Sequence, residues 1–548
     1  MSGPSVSPCA EPLGPNPPSS SPGLARSTAV QAAGTALSRI TGFGRIFAFA
    51  YALGAGRLAD TYTLANNTPN ILYELVLGGV LSGTVLPVLV RELRRDDEAE
   101  GWRGVSAVLC TAMVAATTLA LAFVIVAPLF IRLYTLRTGA EVSENQIAVA
   151  TDLLRLFAPQ VFFYGMVSMS TALLRARRKF ALPMFAPVLN NLVVIGLFLA
   201  YPTVIGTRSL EAVRDRPDAI LFLGIGTTAG VAAMALAQLP LRTLRRHVRW
   251  VWAPGHPAVR TIVKLSGWTV GFVAANQLAL FLVYLLANGR AGDVTVYFLA
   301  YTIFLLPHGV VSVSIISAIQ PELADRAAAG DIDGFRRQLG VGLRSIAAIL
   351  VPAAVGYAIL ARPIVSLLLE HGAFGRAGAE DVAATLTLMA LGLPAFSCWL
   401  FLTSAYQALQ DTRSLFFLYL VENGVNVVAA LALYPLLGVR GLGLAYAVAY
   451  SAGTAAALLH LRRRLGRLGG RTLARSVARI AFASTLMGVA VLAASAGVGG
   501  DVGTSAAVRV AVATATGVTV YLAGARLFGV AEIGALLPVR LPPRWRRR

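Results

Sequence analysis

Residues 105–133 read VSAVLCTAMVAATTLALAFVIVAPLFIRL, and Arg132 is the one charged side chain among them. A helix crosses the hydrocarbon of a bilayer with about 20 mostly apolar residues, and this run is longer than that. Working outward, comparable runs recur at roughly 28–54, 62–90, 147–174, 183–203, 219–240, 261–287, 294–319, 337–360, 382–409, 415–436, 441–460, 476–496 and 506–529. The pattern predicts an all-α polytopic membrane protein of about fourteen spans. Composition agrees: 56% of the 548 residues are hydrophobic and 13% are charged, against about 25% charged in a soluble domain.

The net charge is +21, and Lys179 and Lys264 are the only lysines. A basic balance can signal nucleic acid. Here the arginines sit in short loops between apolar runs, which points to membrane orientation instead. One set of alternate loops carries Arg91/Arg94/Arg95, Arg175/Arg177/Arg178, Arg242/Arg245/Arg246/Arg249 and Arg462/Arg463/Arg464. The opposite loops are poorer, with Arg57, Arg290 and Arg440 among their few. The positive-inside rule then places both termini in the cytoplasm, which requires an even number of spans. Residues 1–25 are rich in Pro, Ser and Gly and predict a disordered tail. They contain no apolar stretch of a cleaved signal peptide, so the first span is expected to serve as an uncleaved anchor.

A weak repeat divides the chain. Pro159 and Asn191 have the same separation as Pro394 and Asn426, and Asp60 and Asp293 open corresponding spans. Two pseudo-symmetric six-helix lobes account for this, as in transporters built from parallel repeats. The expected organisation is a cytoplasmic tail over 1–25, lobes over 26–245 and 246–465, a final helix pair over 466–530, and a basic cytoplasmic tail over 531–548.

Polar groups inside the spans carry the functional reading, because a charge at the bilayer centre costs about 2.5–3.5 kcal/mol on insertion scales. Ser38-Arg39-Ile40-Thr41-Gly42-Phe43-Gly44-Arg45 places two arginines well inside the first span. Either they line a water-filled cavity and bind an anion, for which the planar guanidinium suits phosphate, or each pairs with a carboxylate and locks two helices. Asp60 is a plausible partner for Arg45. Asn66, Asn67 and Asn70 surround Pro69; they line the cavity or satisfy backbone groups that the proline frees. Glu74 reads as an arginine partner or as a proton or cation site, the partner role being preferred. Asn276 and Gln277 read as interhelical hydrogen-bonding groups. Glu422, Asn423 and Asn426 form either a cation site or further interhelical bonds. Cys9, Cys110 and Cys398 and the five histidines are dispersed, with no metal-ligand spacing. No phosphate-binding loop or nucleophile motif is present, so neither an enzyme nor a cofactor is expected.

The block Ser38 to Arg45, with Gly54-Ala55-Gly56, Ala59-Asp60, Pro69-Asn70, Gly78-Gly79-Val80-Leu81-Ser82 and Pro87, resembles the N-terminal signature of the MurJ (MviN) family. Leu306-Pro307-His308-Gly309-Val310 and Gln320-Pro321 extend the resemblance. It implies a flippase of the MOP exporter superfamily that moves lipid II, the undecaprenyl-pyrophosphate-linked muropeptide of peptidoglycan synthesis, across the bacterial cell membrane. It further implies a cationic cavity between two lobes, a final helix pair flanking a lipid groove, and membrane lipids and cell-wall synthesis or division proteins as partners. By position, Arg39 and Arg45 match the family's cavity arginines, and Asp60 its acidic residue in the second helix. Ser38, Asn66, Asn70 and Glu74 complete the candidate substrate site, with Glu422, Asn423 and Asn426 for ion coupling. Tyr73, Thr302 and Leu305 depart from positions that are charged in well-known members. The rival readings are export of another lipid-linked glycan or of a drug-like cation, or a scaffold that transports nothing.

Overall fold

The computed structural model describes residues 22–74, 85–530 and 532. In its first half the chain forms α1 (Pro22–Leu53), α2 (Arg57–Tyr73), α3 (Leu86–Glu92), α4 (Glu98–Tyr134), α5 (Ala140–Phe157), α6 (Pro159–Ala176), α7 (Ala181–Val204), α8 (Leu210–Arg214), α9 (Pro217–Ala237) and α10 (Leu241–His247). The second half holds α11 (Pro257–Ala287), α12 (Asp293–Pro307), a π-helical turn (His308–Ser312), α13 (Val313–Ala328), α14 (Ile332–Leu369), α15 (Arg376–Ala390), α16 (Leu393–Ala408), α17 (Thr412–Leu437), α18 (Val439–Leu465), α19 (Gly470–Val498) and α20 (Gly503–Leu527). Among the described residues there is no strand. Helices are the expected outcome, since a span in lipid must satisfy its backbone hydrogen bonds internally.

Local chemistry sets the ends. The Asp97 carboxylate accepts from the amides of Ala99 and Glu100 and caps α4, and the Asp331 carboxylate accepts from the Gly334 amide at 2.8 Å and caps α14. That bond, with the Arg326 guanidinium, holds Asp331 below the usual carboxylate range. Pro159, Pro217 and Pro257 open α6, α9 and α11, where a missing N–H costs nothing. Pro394, the counterpart of Pro159, lies in the first turn of α16. Pro22 opens α1, so the helix begins inside the stretch expected to be a disordered tail. The rest of that tail, and all of 531–548 except Glu532, lies outside the described residues.

Eleven helical stretches among the described residues are long and apolar enough to cross a membrane, or twelve if α15 and α16, bent by 54°, form one span. The expected count of about fourteen is not reached by that measure. The first two expected spans fall on α1 and on α2 with α3, and the second runs through 75–84, outside the described residues. Gly78, Gly79 and Ser82 lie there too, as does the Tyr73 side chain. The outer surface is that of a membrane protein. On α4, Leu121, Ile125 and Leu129 repeat every fourth residue and are exposed, Ile125 to 78%, forming one apolar stripe.

In the first half α1 packs on α7, α7 on α9, α2 on α5 and α4 on α6. In the second, α11 packs on α17, α17 on α18, and α15 on both α14 and α18. The halves meet where α2 touches α12, α4 touches α11 and α1 touches α14. Helices α19 and α20 pack on each other and against α14.

Candidate functional site

Helix α2 stands between two cavities. The first, about 200 Å³, is lined by Arg45, Tyr62, Asn66, Asn67, Asn70 and Asn190, among others. The second, about 250 Å³, is lined by Glu74, Asn276, Gln277, Glu422, Asn423 and Asn426. Asn67, Asn70 and Phe298 border both, so the two chambers share a wall. The cation is in one and the carboxylates are in the other.

Arg45 forms no hydrogen bond or ion pair among the described residues, and it is half-buried. Opposite it, the hydroxyls of Tyr62 and Thr227 are 2.8 Å apart. The Asn70 amide donates to the Asn66 carbonyl at 3.3 Å, and that of Asn67 to the Tyr284 hydroxyl at 3.2 Å. The asparagines around Pro69 therefore line the chamber, and the Asn70 bond goes to the Asn66 carbonyl, not to the Ala65 carbonyl whose helical donor the proline removes.

Arg39 lies elsewhere. Its guanidinium crosses to the second half and packs against Gly309 in the π-helical turn, so closely that a Cβ at Gly309 would collide with it. It is exposed and also forms no ion pair among the described residues. Ser38 lines neither cavity. Its carbonyl accepts from the Asn191 amide at 3.1 Å, and that amide also donates to Thr41 Oγ1 at 3.0 Å, tying α1 to α7.

Asp60 overturns its expected place. It is wholly buried, borders neither cavity and does not pair with Arg45. Its carboxylate accepts from the Gly292 amide at 2.6 Å and from the Thr295 amide and hydroxyl at 2.9 and 2.8 Å. Gly292, at φ 91°, precedes the first turn of α12. The free amides and positive end of that helix hold the carboxylate. Nearby, Arg57 Nη1 donates to the Asn288 carbonyl at 2.7 Å, and the Asn288 amide donates to Gln146 and to the Tyr134 carbonyl. These bonds seal the seam between the halves at one end.

The expected arginine partner of Glu74 is absent among the described residues. The side chain instead faces the second chamber. Glu422 is 1% exposed, and its Oε2, like Gln277 Oε1, has no hydrogen-bond partner. A buried carboxylate oxygen and amide oxygen without donors are acceptors open to a cation. The same chamber takes in Asn276 and Gln277, expected as interhelical hydrogen-bonding groups, and Thr302. Tyr297, Tyr301, Tyr446 and Tyr450 line it as well. Sequence reasoning passed over these tyrosines because aromatics in apolar spans read as core. Among the described residues no group of three or more His, Cys, Asp or Glu is placed to hold a metal ion.

A third cavity, about 440 Å³, opens between α14, α19 and α20, and is lined by Pro352, Gly356, Tyr357, Thr514, Val518 and Tyr521, among others. Its walls are almost wholly apolar.

The chain is similar to known proteins in sequence and in fold. The family described as "Lipid II flippase MurJ" matches residues 49–511. A protein of Rhizobium tropici named "Probable lipid II flippase MurJ" is 27% identical over 461 residues, covering 82% of this chain and 83% of its own length. A solved structure titled "Lipid II flippase MurJ, inward closed conformation" superposes with a TM-score of 0.74 at 19% identity, covering 92% of this chain and all of that one. An inward-facing multidrug resistance MATE family transporter of the MOP superfamily gives a TM-score of 0.64 at 14% identity over 78% of this chain and 96% of its own.

Proposed function

The chain belongs to the lipid II flippase MurJ family, and on that premise we propose that it carries lipid II from the cytoplasmic to the outer leaflet by alternating access. The observation that carries this reading is Arg45. It is a guanidinium inside a span, bordering a chamber, with no carboxylate partner among the described residues. Pyrophosphate cannot enter hydrocarbon without replacement of its hydration, and a guanidinium supplies bidentate, charge-assisted hydrogen bonds for that purpose. Asn66, Asn70 and Asn190 add uncharged donors and acceptors suited to a sugar–peptide headgroup. The apolar cavity between α14, α19 and α20 has the chemistry to hold the polyprenyl chain at the lipid edge while the headgroup crosses.

The lobes are residues 26–245 and 246–465, with 466–530 as the tail-holding pair and both termini cytoplasmic. The Asp60–Thr295 seam then closes the outer end, and rocking of the lobes opens it. Glu422, with Glu74, Asn423 and Asn426, is the coupling-cation site. A cation driven by the membrane potential contributes about 2.3 kcal/mol per charge per 100 mV. The two carboxylates of the second chamber also fit a drug-like cation as cargo, and the unpaired Arg45 speaks against it. Binding of the purified protein to lipid II, compared with other polyprenyl-linked sugars and with organic cations, separates these readings. Preference for an organic cation overturns the first. Rescue of a strain depleted of its own flippase is the cellular test.

A further inference from the structure

The chain between α10 and α11 crosses the first turns of α4. The Arg249 amide donates to Ser106 Oγ at 3.2 Å, and Cys110 Sγ donates to the Arg249 carbonyl at 3.6 Å. Val248 is extended, and successive residues of an extended strand face opposite ways. Arg249 accordingly borders one cavity, and Val248 and Trp250 border another.

The first cavity, about 620 Å³, is lined by Glu98, Trp102, Arg103, Arg246, His247 and Arg249 among others. The His247 ring stacks on Trp102 with centroids 4.5 Å apart and planes at 14°, which builds one wall. Arg246 and Arg249 form no ion pair among the described residues. Arg103 reaches Glu100 only at 3.8 Å, so Glu98 is the one acid in a wall with three arginines. The second cavity, about 200 Å³, lies deeper along α4 and is apolar, with Cys110, Met113 and Met169 in its wall. From Trp102 to Met113 the rise along the helix is about 16 Å, the scale of a phospholipid from headgroup to upper acyl chain. Trp250, which borders the second cavity, is 73% exposed, and Trp252, two residues further on, is 56% exposed. Tryptophans so placed mark the level of the lipid headgroups.

We propose that this pair of cavities binds an anionic diacyl phospholipid of the phosphatidylglycerol class. The headgroup phosphate lies between Arg246 and Arg249, and an acyl chain enters the Cys110–Met113 pocket. Basic pockets at the cytoplasmic edge of helix bundles select anionic headgroups in this way. A free phosphate would use the arginines but leave the apolar pocket and the exposed tryptophans without a role. The proposal does not depend on the cargo of the central chambers.

The test uses the full-length protein in phosphatidylcholine nanodiscs carrying a phosphatidylglycerol analogue with a photoreactive acyl chain, with adducts mapped by peptide mass spectrometry. The expected result is labelling of 106–113 and 244–250 several-fold above that from the matching phosphatidylcholine analogue. Unlabelled phosphatidylglycerol competes and inorganic phosphate does not. R246Q/R249Q lowers the adduct yield by about thirtyfold, as expected for two lost charge contacts. Met113→Trp, which fills the acyl pocket with both arginines intact, lowers it as well and covers the case in which the double variant misfolds. Equal labelling by the two analogues, competition by inorganic phosphate, or yields unchanged in folded variants overturns the proposal.

Discussion

The Asp60 carboxylate of α2 caps α12 across the seam between the two halves, accepting from the Thr295 amide at 2.9 Å and from the Thr295 hydroxyl at 2.8 Å. The contact is buried, so nothing in solvent replaces it when it is lost. Asp60→Asn keeps the shape but turns donor against donor, and a buried donor without an acceptor costs about 1–3 kcal/mol. The expected outcome is faster amide hydrogen exchange at Gly292 and Thr295 and a lower unfolding temperature in detergent. Unchanged exchange at both amides would mean that the seam is held by other contacts.

Arg45→Ala is expected to abolish rescue of a flippase-depleted strain while membrane levels stay normal. Arg45→Lys keeps the charge but loses the fork. A hydrogen bond to a charged group contributes about 1.5–3 kcal/mol, so binding of lipid II should weaken by roughly ten- to a hundredfold. Titration of both variants with lipid II checks this, and full rescue by Arg45→Ala counts against the cavity role.

Gly309 has no side chain where Arg39 packs against it. Gly309→Val pushes the guanidinium away, and because the collision falls on the exposed end of a flexible side chain the unfolding temperature should stay nearly unchanged. Rescue should weaken, and Gly309→Val combined with Arg39→Ala should do no worse than Arg39→Ala alone. A double variant clearly worse than Arg39→Ala would place the damage elsewhere.

Glu422→Gln removes a charge and preserves the packing of a side chain that is 1% exposed. Lipid II binding is expected to persist, while transport in vesicles no longer responds to an imposed sodium or proton gradient. A variant that still follows the gradient as the parent does removes Glu422 from the coupling site.

Val518→Trp narrows the apolar groove between α14 and α20 from its exposed side. Transport of lipid II should fall several-fold with the unfolding temperature unchanged, and a water-soluble headgroup without its polyprenyl chain should bind as before. Equal loss of headgroup binding would show that the groove does more than hold the tail.

The helices were legible in the chain itself. Apolar runs such as 105–133 leave the backbone no partners but its own, and prolines such as Pro159 and Pro217 mark where helices open. Arg39 and Arg45 stood out because a charge within an apolar run has a cost that needs a cause. The site was legible only in part. Glu74 was expected to find an arginine, and Asp60 to serve Arg45, because sequence spacing tells which residues are near along one helix and says nothing of what faces them from another. The tyrosines of the second chamber carried no signal at all, since an aromatic ring packs in a core and borders a cavity with the same residue type.

By itself the sequence determined a membrane-spanning helical chain, the residues whose burial demands an explanation, and the family signature around Ser38 to Arg45. These are properties of local composition and period. Only the tertiary structure decided that Arg45 borders a chamber while Arg39 crosses to Gly309, that Asp60 caps α12, and that Glu74 and Glu422 share a wall. Each of these depends on a partner more than two hundred residues away or on a neighbouring helix, and the packing that brings them together is set by the whole fold and not by the helix on which either residue lies.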